Sequence, residues 1–378
     1  MTSRPLFMAT MAVLRAPGEV FVQGNTAPAA GSAAWVERID PVTLEPLARS
    51  PDLPGGPFWP GGILAHTNGF LYVTYGRYCH KLDSGCGLIA SRELPQAQPY
   101  NGLIALSDGI LVMKNFVRDG TNRSYFTLLS PDGLEPVSPE VEAPEGSIAR
   151  ISRDVSGGDE FVYMVGDHTA WRYRYSEGTL VRDRDWQFRY RVLGEDEQSY
   201  GWDPVIAAGN VWFLDNGANL FQRSFRGLGS ASGPLHLVRV SLADSTDAEL
   251  FTPFGAPRGT VVNPPLIDAS RGIVVAYDSG NALIAGFRHA GPGVFHGLWW
   301  KGFNCGNHFL LFPDTGEIVV NDFDGETEHV VVLNVETGEE LGRVATGSAV
   351  FSAVFQSPGW ERDVYTCSFT TLSRTFVE

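Results

Sequence analysis

The sequence has little cysteine and little positive charge. Its four cysteines stand too far apart for the disulfide framework of a small secreted domain, and no Cys-x-x-Cys pair indicates a zinc knuckle. Lys and Arg number 28 against 43 Asp and Glu, and the formal net charge of -15 repels nucleic-acid phosphates and anionic lipid. We therefore expect reduced thiols, no nucleic-acid partner and no membrane partner.

Long apolar runs are also missing. No stretch reaches the roughly 18 to 20 apolar residues that cross a bilayer. The apolar segment 6–14 has the length found in a signal peptide, but Arg15 follows it directly and no convincing small-residue cleavage site comes next. We therefore predict a cytoplasmic protein.

Glycine, proline and aromatic residues are plentiful, and they mark a repeat. The 378 residues include 43 Gly and 24 Pro, and 12% are aromatic. A β-branched or aromatic strand returns at intervals of about 40 to 60 residues, which brackets the period of a four-stranded propeller blade. Eight such strands occupy residues 19–25, 70–76, 110–116, 160–167, 211–217, 273–280, 317–324 and 363–369, after turns with Gly18, Gly69, Gly109, Gly158, Gly209, Gly272, Gly316 and Gly359.

This repeat predicts an all-β fold. A four-stranded sheet cannot cover both of its own faces, and radial stacking of such sheets buries them. We predict a β-propeller of four-stranded antiparallel blades, with eight blades favoured over seven, whereas a β-sandwich or two small barrels would not repeat at this period. The last unit lacks a fourth strand, which the leading segment 3–8 can supply. We therefore expect one domain over residues 1–378, closed by pairing of the N- and C-terminal segments.

Two segments carry a resemblance to a known superfamily. NPPLIDASRGIVVAYDSGNALIAGF (263–287) has a Gly turn after its inner strand, and NHFLLFPDTGEIVVNDFDGETEHVVVLNVETGEEL (307–341) adds a Val-Glu-Thr-Gly turn before its outer strand. These segments resemble the repeats of quinoprotein-type, PQQ-like propellers, which implies the same blade scaffold. Quinoprotein alcohol dehydrogenases hold an adjacent pair of cysteines against the quinone, and no two cysteines are adjacent here. We therefore expect no quinone cofactor.

Two sets of loops lie on the same rim of an up-and-down blade: those that lead into the innermost strands and those that follow the second strands. Many polar and aromatic residues fall in these loops, where they would line the mouth of the central channel as a small-molecule pocket. A single Asp or Asn in such a loop also commonly satisfies backbone N–H groups. The candidates for substrate binding are Trp59, Tyr100, Asn101, Trp202, Asp215, Asn216, Asn263, Asp278, Asn304 and Asn321.

His308 is the candidate proton carrier. It lies early in the inner strand of the seventh blade, whose second strand ends in Asn321 and Asp322, so we expect the imidazole to meet the carboxylate. The alternative is a histidine that is bonded to a backbone carbonyl. The other catalytic candidates are expected to steady the substrate, or else to form ordinary ion pairs: Lys114, Arg150 and Asp203.

Two classes of function remain. The favoured one is an enzyme that acts on a small, ring-containing molecule by acid–base chemistry, as a lyase, isomerase or hydrolase, because polar groups concentrate at the channel mouth. The alternative is a non-catalytic propeller that binds a ligand or protein, and a PQQ-type dehydrogenase is the second alternative. We predict no cofactor. The alternative is Ca²⁺ or Mg²⁺ bound by the oxygen ligands of the rim carboxylates, although no compact Asp-x-Asp-x-Asp loop supports it.

Overall fold

The structure, a computed structural model, describes residues 1–27, 32–55, 61–117, 122–217, 231–261, 263–306, 308–350 and 356–376. Within these ranges all the regular elements are β-strands, as the composition predicted. The strands are numbered β1 to β32 along the chain and form eight four-stranded sheets.

Sheets 1 to 4 each contain four strands that pair in chain order. They are sheet 1, with β2 (Ala9–Ala16), β3 (Glu19–Asn25), β4 (Ala34–Ile39) and β5 (Pro46–Arg49); sheet 2, with β6 (Gly61–Ala65), β7 (Leu71–Tyr75), β8 (Tyr78–Leu82) and β9 (Leu88–Glu93); sheet 3, with β10 (Tyr100–Ala105), β11 (Leu111–Asn115), β12 (Tyr125–Leu129) and β13 (Val141–Glu142); and sheet 4, with β14 (Ile151–Ser156), β15 (Asp159–Val165), β16 (Thr169–Ser176) and β17 (Thr179–Arg189).

Sheets 5 to 7 follow the same order, and sheet 8 takes its outer strand from the N-terminus. They are sheet 5, with β18 (Val205–Ala207), β19 (Asn210–Leu214), β20 (Leu237–Ser241) and β21 (Ala248–Phe251); sheet 6, with β22 (Leu266–Asp268), β23 (Ile273–Asp278), β24 (Leu283–His289) and β25 (Phe295–Gly302); sheet 7, with β26 (Leu310–Phe312), β27 (Glu317–Phe323), β28 (Glu328–Asn334) and β29 (Glu340–Ala345); and sheet 8, with β30 (Gln356–Pro358), β31 (Asp363–Ser368), β32 (Thr371–Phe376) and β1 (Thr2–Pro5).

The eight strands predicted from the repeat fall in eight different sheets, and each is the second strand of its sheet. Adjacent strands are antiparallel, as in the pairing of β2 with β3 and of β23 with β24. The fold is an eight-bladed β-propeller in which each sheet is one blade. The prediction of eight blades is confirmed, and the seven-bladed and sandwich alternatives are wrong.

The two ends of the chain share sheet 8. β1 pairs with β32 so that Thr2 lies opposite Arg374. Beyond this strand, the Leu6 N–H donates a hydrogen bond to the Thr370 carbonyl at 3.0 Å. The N-terminal segment thus supplies the outer strand that the C-terminal sequence lacks, and it covers an edge that would otherwise be unpaired.

The chain divides into two compact units. The first contains Met1–Met164, Arg172–Asp183 and Ser357–Phe376, and the second contains Val165–Trp171 and Arg184–Gln356. The first unit therefore holds sheets 1 to 3 and nearly all of sheet 8, the second holds sheets 5 to 7, and the strands of sheet 4 are divided between them. The single domain expected from the sequence stays a prediction.

Within each unit the core lies between neighbouring sheets. In the first unit, Phe21 of sheet 1 packs in a buried cluster with Val73 of sheet 2. In the second, Tyr277 of sheet 6 packs with Ile318 of sheet 7. Each fully buried side chain of this size stabilises the fold by about 1.5 to 3 kcal/mol relative to the exposed state.

The repeated turn glycines have two different reasons to be glycine. Seven of the eight have a positive φ, from 64° at Gly272 to 90° at Gly109. Gly359 is different, because a Cβ there would overlap with Asp363 Oδ1. Positive φ therefore explains the glycine in seven turns, and the close approach of a carboxylate explains it in the eighth.

We predict that Gly209→Ala lowers the free energy of unfolding by about 1 to 2 kcal/mol, because its φ of 71° forces an L side chain into the left-handed region. A Cβ at this position meets no atom within 4 Å, so the cost is conformational. Gly342→Ala is the matched control: its site is equally open and lacks positive φ, and we expect a change below about 0.5 kcal/mol. Urea unfolding measures both. Equal effects would contradict the explanation.

Candidate functional site

Three neighbouring innermost strands of the second unit carry polar residues just before their first residue. β22 lies beside both β18 and β26. Asp203, Asn263 and His308 stand two or three residues before these strands. His308 Nε2 lies 3.9 Å from Asp203 Oδ2, so a contact reaches from sheet 7 to sheet 5. Three of the residues predicted for the site thus gather at one end of these strands.

The pair of His308 and Asp203 is electrostatic in character. A separation of 3.9 Å is too long for a hydrogen bond, so the two side chains attract each other strongly only when the imidazole is protonated. The His308 side chain is 23% exposed and that of Asp203 is 9% exposed. The pair is therefore largely buried, and the imidazole is its more accessible member.

Asp322, the expected partner of His308, contacts other groups. Its Oδ1 accepts a hydrogen bond from the Asn304 N–H at 2.8 Å, and its Oδ2 forms an ion pair with Arg343 at 2.8 Å. β26 begins at Leu310, so His308 lies outside the paired part of β26 and β27 and is not held opposite Asp322. The carboxylate that faces His308 is therefore Asp203.

Asn321 is part of a buried chain of hydrogen bonds in sheet 7. Its Oδ1 accepts from Cys305 Sγ at 2.9 Å, and its Nδ2 donates to Glu328 Oε1 at 2.8 Å. All three residues are fully buried. Asn304 donates through Nδ2 to the Phe323 carbonyl at 3.1 Å. Both asparagines thus connect strands and loops of the sheet.

Asn263 and Trp202 have buried polar atoms without hydrogen bonds. Neither amide atom of Asn263 has a partner among the described residues, and Trp202 Nε1 has none there either. Asn263 has no exposed surface, and Trp202 is 7% exposed. Leaving a buried donor or acceptor unsatisfied costs roughly 1 to 3 kcal/mol. A hydrogen bond from water or a ligand to these atoms would therefore remove that free-energy cost.

Sheet 5 contains a histidine that the sequence analysis missed. His236 Nδ1 lies 2.8 Å from Asp215 Oδ2, and its backbone N–H donates to Asp215 Oδ1 at 2.6 Å. Burial raises the pKa of the Asp215 carboxyl, and the hydrogen bonds from His236 and Gln198 oppose that shift. His236 stands directly before β20, the third strand of the sheet. Asp215 and Asn216 stand directly after β19, at the other end of the same loop, so the position of His236 in the sequence would have identified it as a further candidate.

Two further candidates support loops of the second unit. Asn216 has a φ of 54°, accepts from the Ser199 N–H at 2.7 Å and donates to the Pro234 carbonyl at 2.9 Å. Asp278 accepts from the Thr260 N–H at 3.1 Å and from Asn281 Nδ2 at 2.8 Å. Asn216 and Asp278 therefore stabilise loops through hydrogen bonds to the backbone, which the sequence analysis gave as the alternative to a binding role.

Gln198 organises the loop that leads to Asp203. Its fully buried amide accepts from the Val192 and Leu193 N–H groups at 2.9 and 3.2 Å. It also donates to the Tyr190 carbonyl at 3.0 Å and to Asp215 Oδ2 at 2.7 Å. The amide thus uses both its donor and its acceptor atoms to fix the path of residues 192–197, which we call the acidic loop.

The acidic loop exposes three consecutive carboxylates, those of Glu195, Asp196 and Glu197. Residues outside the acidic loop also hold its backbone, because the Asp196 carbonyl accepts hydrogen bonds from Ser232 Oγ at 2.8 Å and from the Gly233 N–H at 3.0 Å. None of the three carboxylates forms an ion pair with another residue of the described chain. The loop is therefore a fixed, negatively charged surface.

In the first unit, the cationic candidates hydrogen bond to backbone carbonyls. Lys114 is fully buried, and its Nζ donates to the carbonyls of Asn115 at 3.0 Å and Ser147 at 2.9 Å. Arg150 Nη2 donates to the Gly61 carbonyl at 3.2 Å. These contacts tie together neighbouring loops of the unit.

The remaining candidates of the first unit are Tyr100, Asn101 and Trp59. The Tyr100 hydroxyl lies 3.3 Å from both Thr127 Oγ1 and Glu140 Oε1, and burial raises its pKa. Asn101 Nδ2 donates to the Ile148 carbonyl at 2.6 Å. Trp59 lies outside the described residues. Tyr100 therefore reaches outwards across its sheet and into the core.

The described residues contain neither a metal-binding cluster nor a membrane-crossing helix. Among the described residues no group of three or more His, Cys, Asp or Glu side chains is arranged to hold a metal ion. The same residues contain no helix with the length and apolar character that a membrane crossing requires. All four cysteines are free thiols, as the sequence predicted, and all four are buried.

The comparisons with known proteins agree with the fold. No known protein-family model matches the chain, and no curated protein is similar to it in sequence. Sqt1 from Chaetomium thermophilum, solved bound to the N-terminus of the ribosomal protein L10, has 10% identity and a TM-score of 0.65 over 100% of this chain and 97% of its own. The Dos1 propeller has 10% identity and a TM-score of 0.65 over 100% of this chain and 95% of its own.

A third similar structure is a europium-containing methanol dehydrogenase, with 11% identity and a TM-score of 0.57 over 96% of this chain and 84% of its own. It confirms the predicted scaffold resemblance to quinoprotein-type propellers. At such low identities the likeness concerns the fold alone.

We predict that Gln198→Ala lowers the free energy of unfolding by about 1 to 3 kcal/mol, because it leaves buried backbone groups and the Asp215 carboxylate without their partner. Gln187→Ala is the control, since Gln187 is exposed, and we expect a change within about 0.5 kcal/mol. Urea unfolding at neutral pH compares the two. A Gln198→Ala protein as stable as the control would show that the amide does not organise the loop.

Proposed function

We propose that this protein is a non-catalytic binding propeller that recognises a cationic segment of a partner protein at the acidic loop of sheet 5. The observation that carries the proposal is the run of three exposed carboxylates, which form no ion pair within the described residues, on a loop that Gln198 holds in place. Like charges on adjacent residues repel each other, and a bound cationic segment relieves that repulsion. Because the loop is already ordered, binding costs it little conformational entropy.

The charge of the whole chain supports the same partner. A net charge of -15 attracts cationic segments over distances of about a Debye length and raises their association rate. Val192 and Leu193 stand beside the carboxylates and are 63% and 41% exposed, so apolar contact is available next to the charges. We infer a segment that mixes Lys or Arg with apolar residues.

Asp203 adds a further carboxylate at the ends of the inner strands, but it is largely buried and lies outside the exposed surface of the acidic loop. It follows the loop in the chain, after the buried residues 198–202, and faces His308. Many of the other polar residues at this end of the sheets already hydrogen bond to loop backbone or to each other, as Asn216 and Asn321 do. This arrangement favours recognition over proton transfer.

A similar fold binds a chain terminus in another protein. Sqt1 was solved bound to the N-terminus of the ribosomal protein L10, and an N-terminus carries a positive α-ammonium group. This precedent supports a protein segment as the partner of the present propeller. The proposal requires neither a quinone nor a metal.

The probe for this proposal is a fluorescein-labelled octalysine peptide, with octaglutamate as its counterpart. We expect octalysine to bind, to weaken as salt is added, and to lose affinity at least about fivefold when Glu195→Gln, Asp196→Asn and Glu197→Gln are combined. Fluorescence anisotropy at low and moderate ionic strength measures the dissociation constants.

The control variant combines Glu45→Gln, Asp52→Asn and Glu135→Gln, which removes three exposed carboxylates from the first unit. The two variants have the same net charge, so they differ only in where the charges were removed. Octalysine affinity that falls equally in both variants would mean that only the total charge matters and would refute the proposed loop site.

The second candidate function is the acid–base enzyme, and the pair of His308 and Asp203 favours it. In that case His308 transfers a proton and Asp203 stabilises the imidazolium. Once a metabolite screen has found a substrate, we expect His308→Gln to lower turnover about a hundredfold or more at an unchanged thermal midpoint, and His168→Gln to keep it. A folded His308→Gln variant with near-normal turnover would exclude this candidate.

A further inference from the structure

A second surface of the second unit has the features of a binding site, and it is formed mainly by β24 and β25, the two outer strands of sheet 6. An apolar groove of about 450 Å³ opens between the outer parts of sheets 5 and 6. We call it the outer groove. Its lining includes Phe254, Leu283, Phe287, Leu298 and Trp300.

The outer groove lies against the edge strand of sheet 6. β25 spans Phe295–Gly302 and pairs only with β24 within the described chain. A shift in register between Gly286 and Phe287 leaves Leu298 without an opposite residue. The other edge of β25 therefore presents backbone N–H and C=O groups that another extended segment can pair with.

Two aromatic residues fix β25 in place. Phe295 stacks on Phe251 of sheet 5, with ring centroids 4.3 Å apart. Trp299 Nε1 donates to the carbonyl of Val335, in the turn that follows β28 of sheet 7, at 2.8 Å. The strand is thus anchored at both neighbouring sheets before any partner binds, which lowers the entropic cost of binding.

Trp300 is the exception among these aromatics. It is 74% exposed, the highest value among the large apolar residues of the described chain, and it lines the groove opposite Ala285. Tryptophan is enriched among the residues that dominate binding energy at protein interfaces. Because the exposed apolar surface of Trp300 is large, a partner that covers this side chain gains binding free energy.

The hairpin of β24 and β25 carries basic residues and no acidic ones, and of these basic residues Arg288 forms an exposed ion pair with Glu336 at 3.6 Å, whereas His296 and Lys301 form none within the described residues. No Asp or Glu occurs from Ser279 to Pro313, a stretch that includes Arg288, His296 and Lys301. Other long edge strands carry acidic residues, as β17 does with Asp183 and Asp185. In a chain of net charge -15, this basic and aromatic edge complements an acidic partner.

We propose that β25 and the outer groove bind an extended acidic segment of a partner protein, which adds to sheet 6 as a fifth strand. Its backbone pairs with the free edge of β25, an apolar side chain enters the groove against Trp300, and its carboxylates face the basic residues of the hairpin. This mode of recognition uses main-chain hydrogen bonds for affinity and alternate side chains for specificity. The surface is separate from the acidic loop and selects the opposite charge.

The test uses a fluorescein-labelled eight-residue peptide in which glutamate alternates with valine around a central tryptophan. We expect it to bind and to lose at least about tenfold in affinity with Trp300→Ala. Trp360→Ala is the matched control, because Trp360 is also exposed, at 51%, and lies far along the chain in the turn between β30 and β31. We expect it to change affinity less than about twofold. A peptide methylated on alternate amide nitrogens keeps its charge but loses the backbone pairing, and we expect it to bind at least about tenfold more weakly.

Three outcomes would overturn the proposal. The first is that the acidic peptide does not bind up to about 1 mM, and the second is that it binds the Trp300→Ala protein as tightly as the unchanged protein. The third is that sedimentation shows a dimer that Trp300→Ala dissociates, because the groove would then be occupied by a second copy of the chain. The triple variant of the acidic loop should bind the acidic peptide at least as well as the unchanged protein. Failure at the acidic loop and failure at the outer groove are therefore separate results.

Discussion

Burial of one sheet face against the next is the constraint on which the rest of the structure depends. A four-stranded sheet has two faces, and without helices only other sheets can cover them. The buried clusters accordingly join residues of neighbouring sheets, such as Phe21 with Val73 and Tyr277 with Ile318. The same need explains why the first strand of the chain pairs with the last, since an incomplete sheet would leave part of its neighbour uncovered.

The sequence predicted the scaffold well because the signals that specify each blade lie close together along the chain. Alternating β-branched and aromatic residues identify the second strand of each sheet, and a turn glycine marks its start. The contacts between sheets were harder to predict. His308 was expected to meet Asp322, which is close along the hairpin, but it faces Asp203 of another sheet. Gly359 shows the same limit, since its close neighbour Asp363 is recognisable only in the folded turn.

The polar residues of the inner strand ends divide into two groups. Asn216, Asp278 and Asn321 hydrogen bond within and between loops, so they support the surface. The carboxylates of the acidic loop make no ion pair in the described chain and stand on a backbone that Gln198 fixes. The sequence pattern of Asp and Asn after strands does not separate these groups, because both have the same residue types. Their difference appears only in the hydrogen bonds.

The central claim is that the acidic loop is the surface that meets a cationic partner. Hydrogen–deuterium exchange with and without octalysine measures this most directly, because each peptide of the chain reports its own protection. The account predicts added protection in the peptides that cover residues 191–203, and none in those that cover β25. Protection spread over the acidic surface of both units, or confined to another segment, would contradict it.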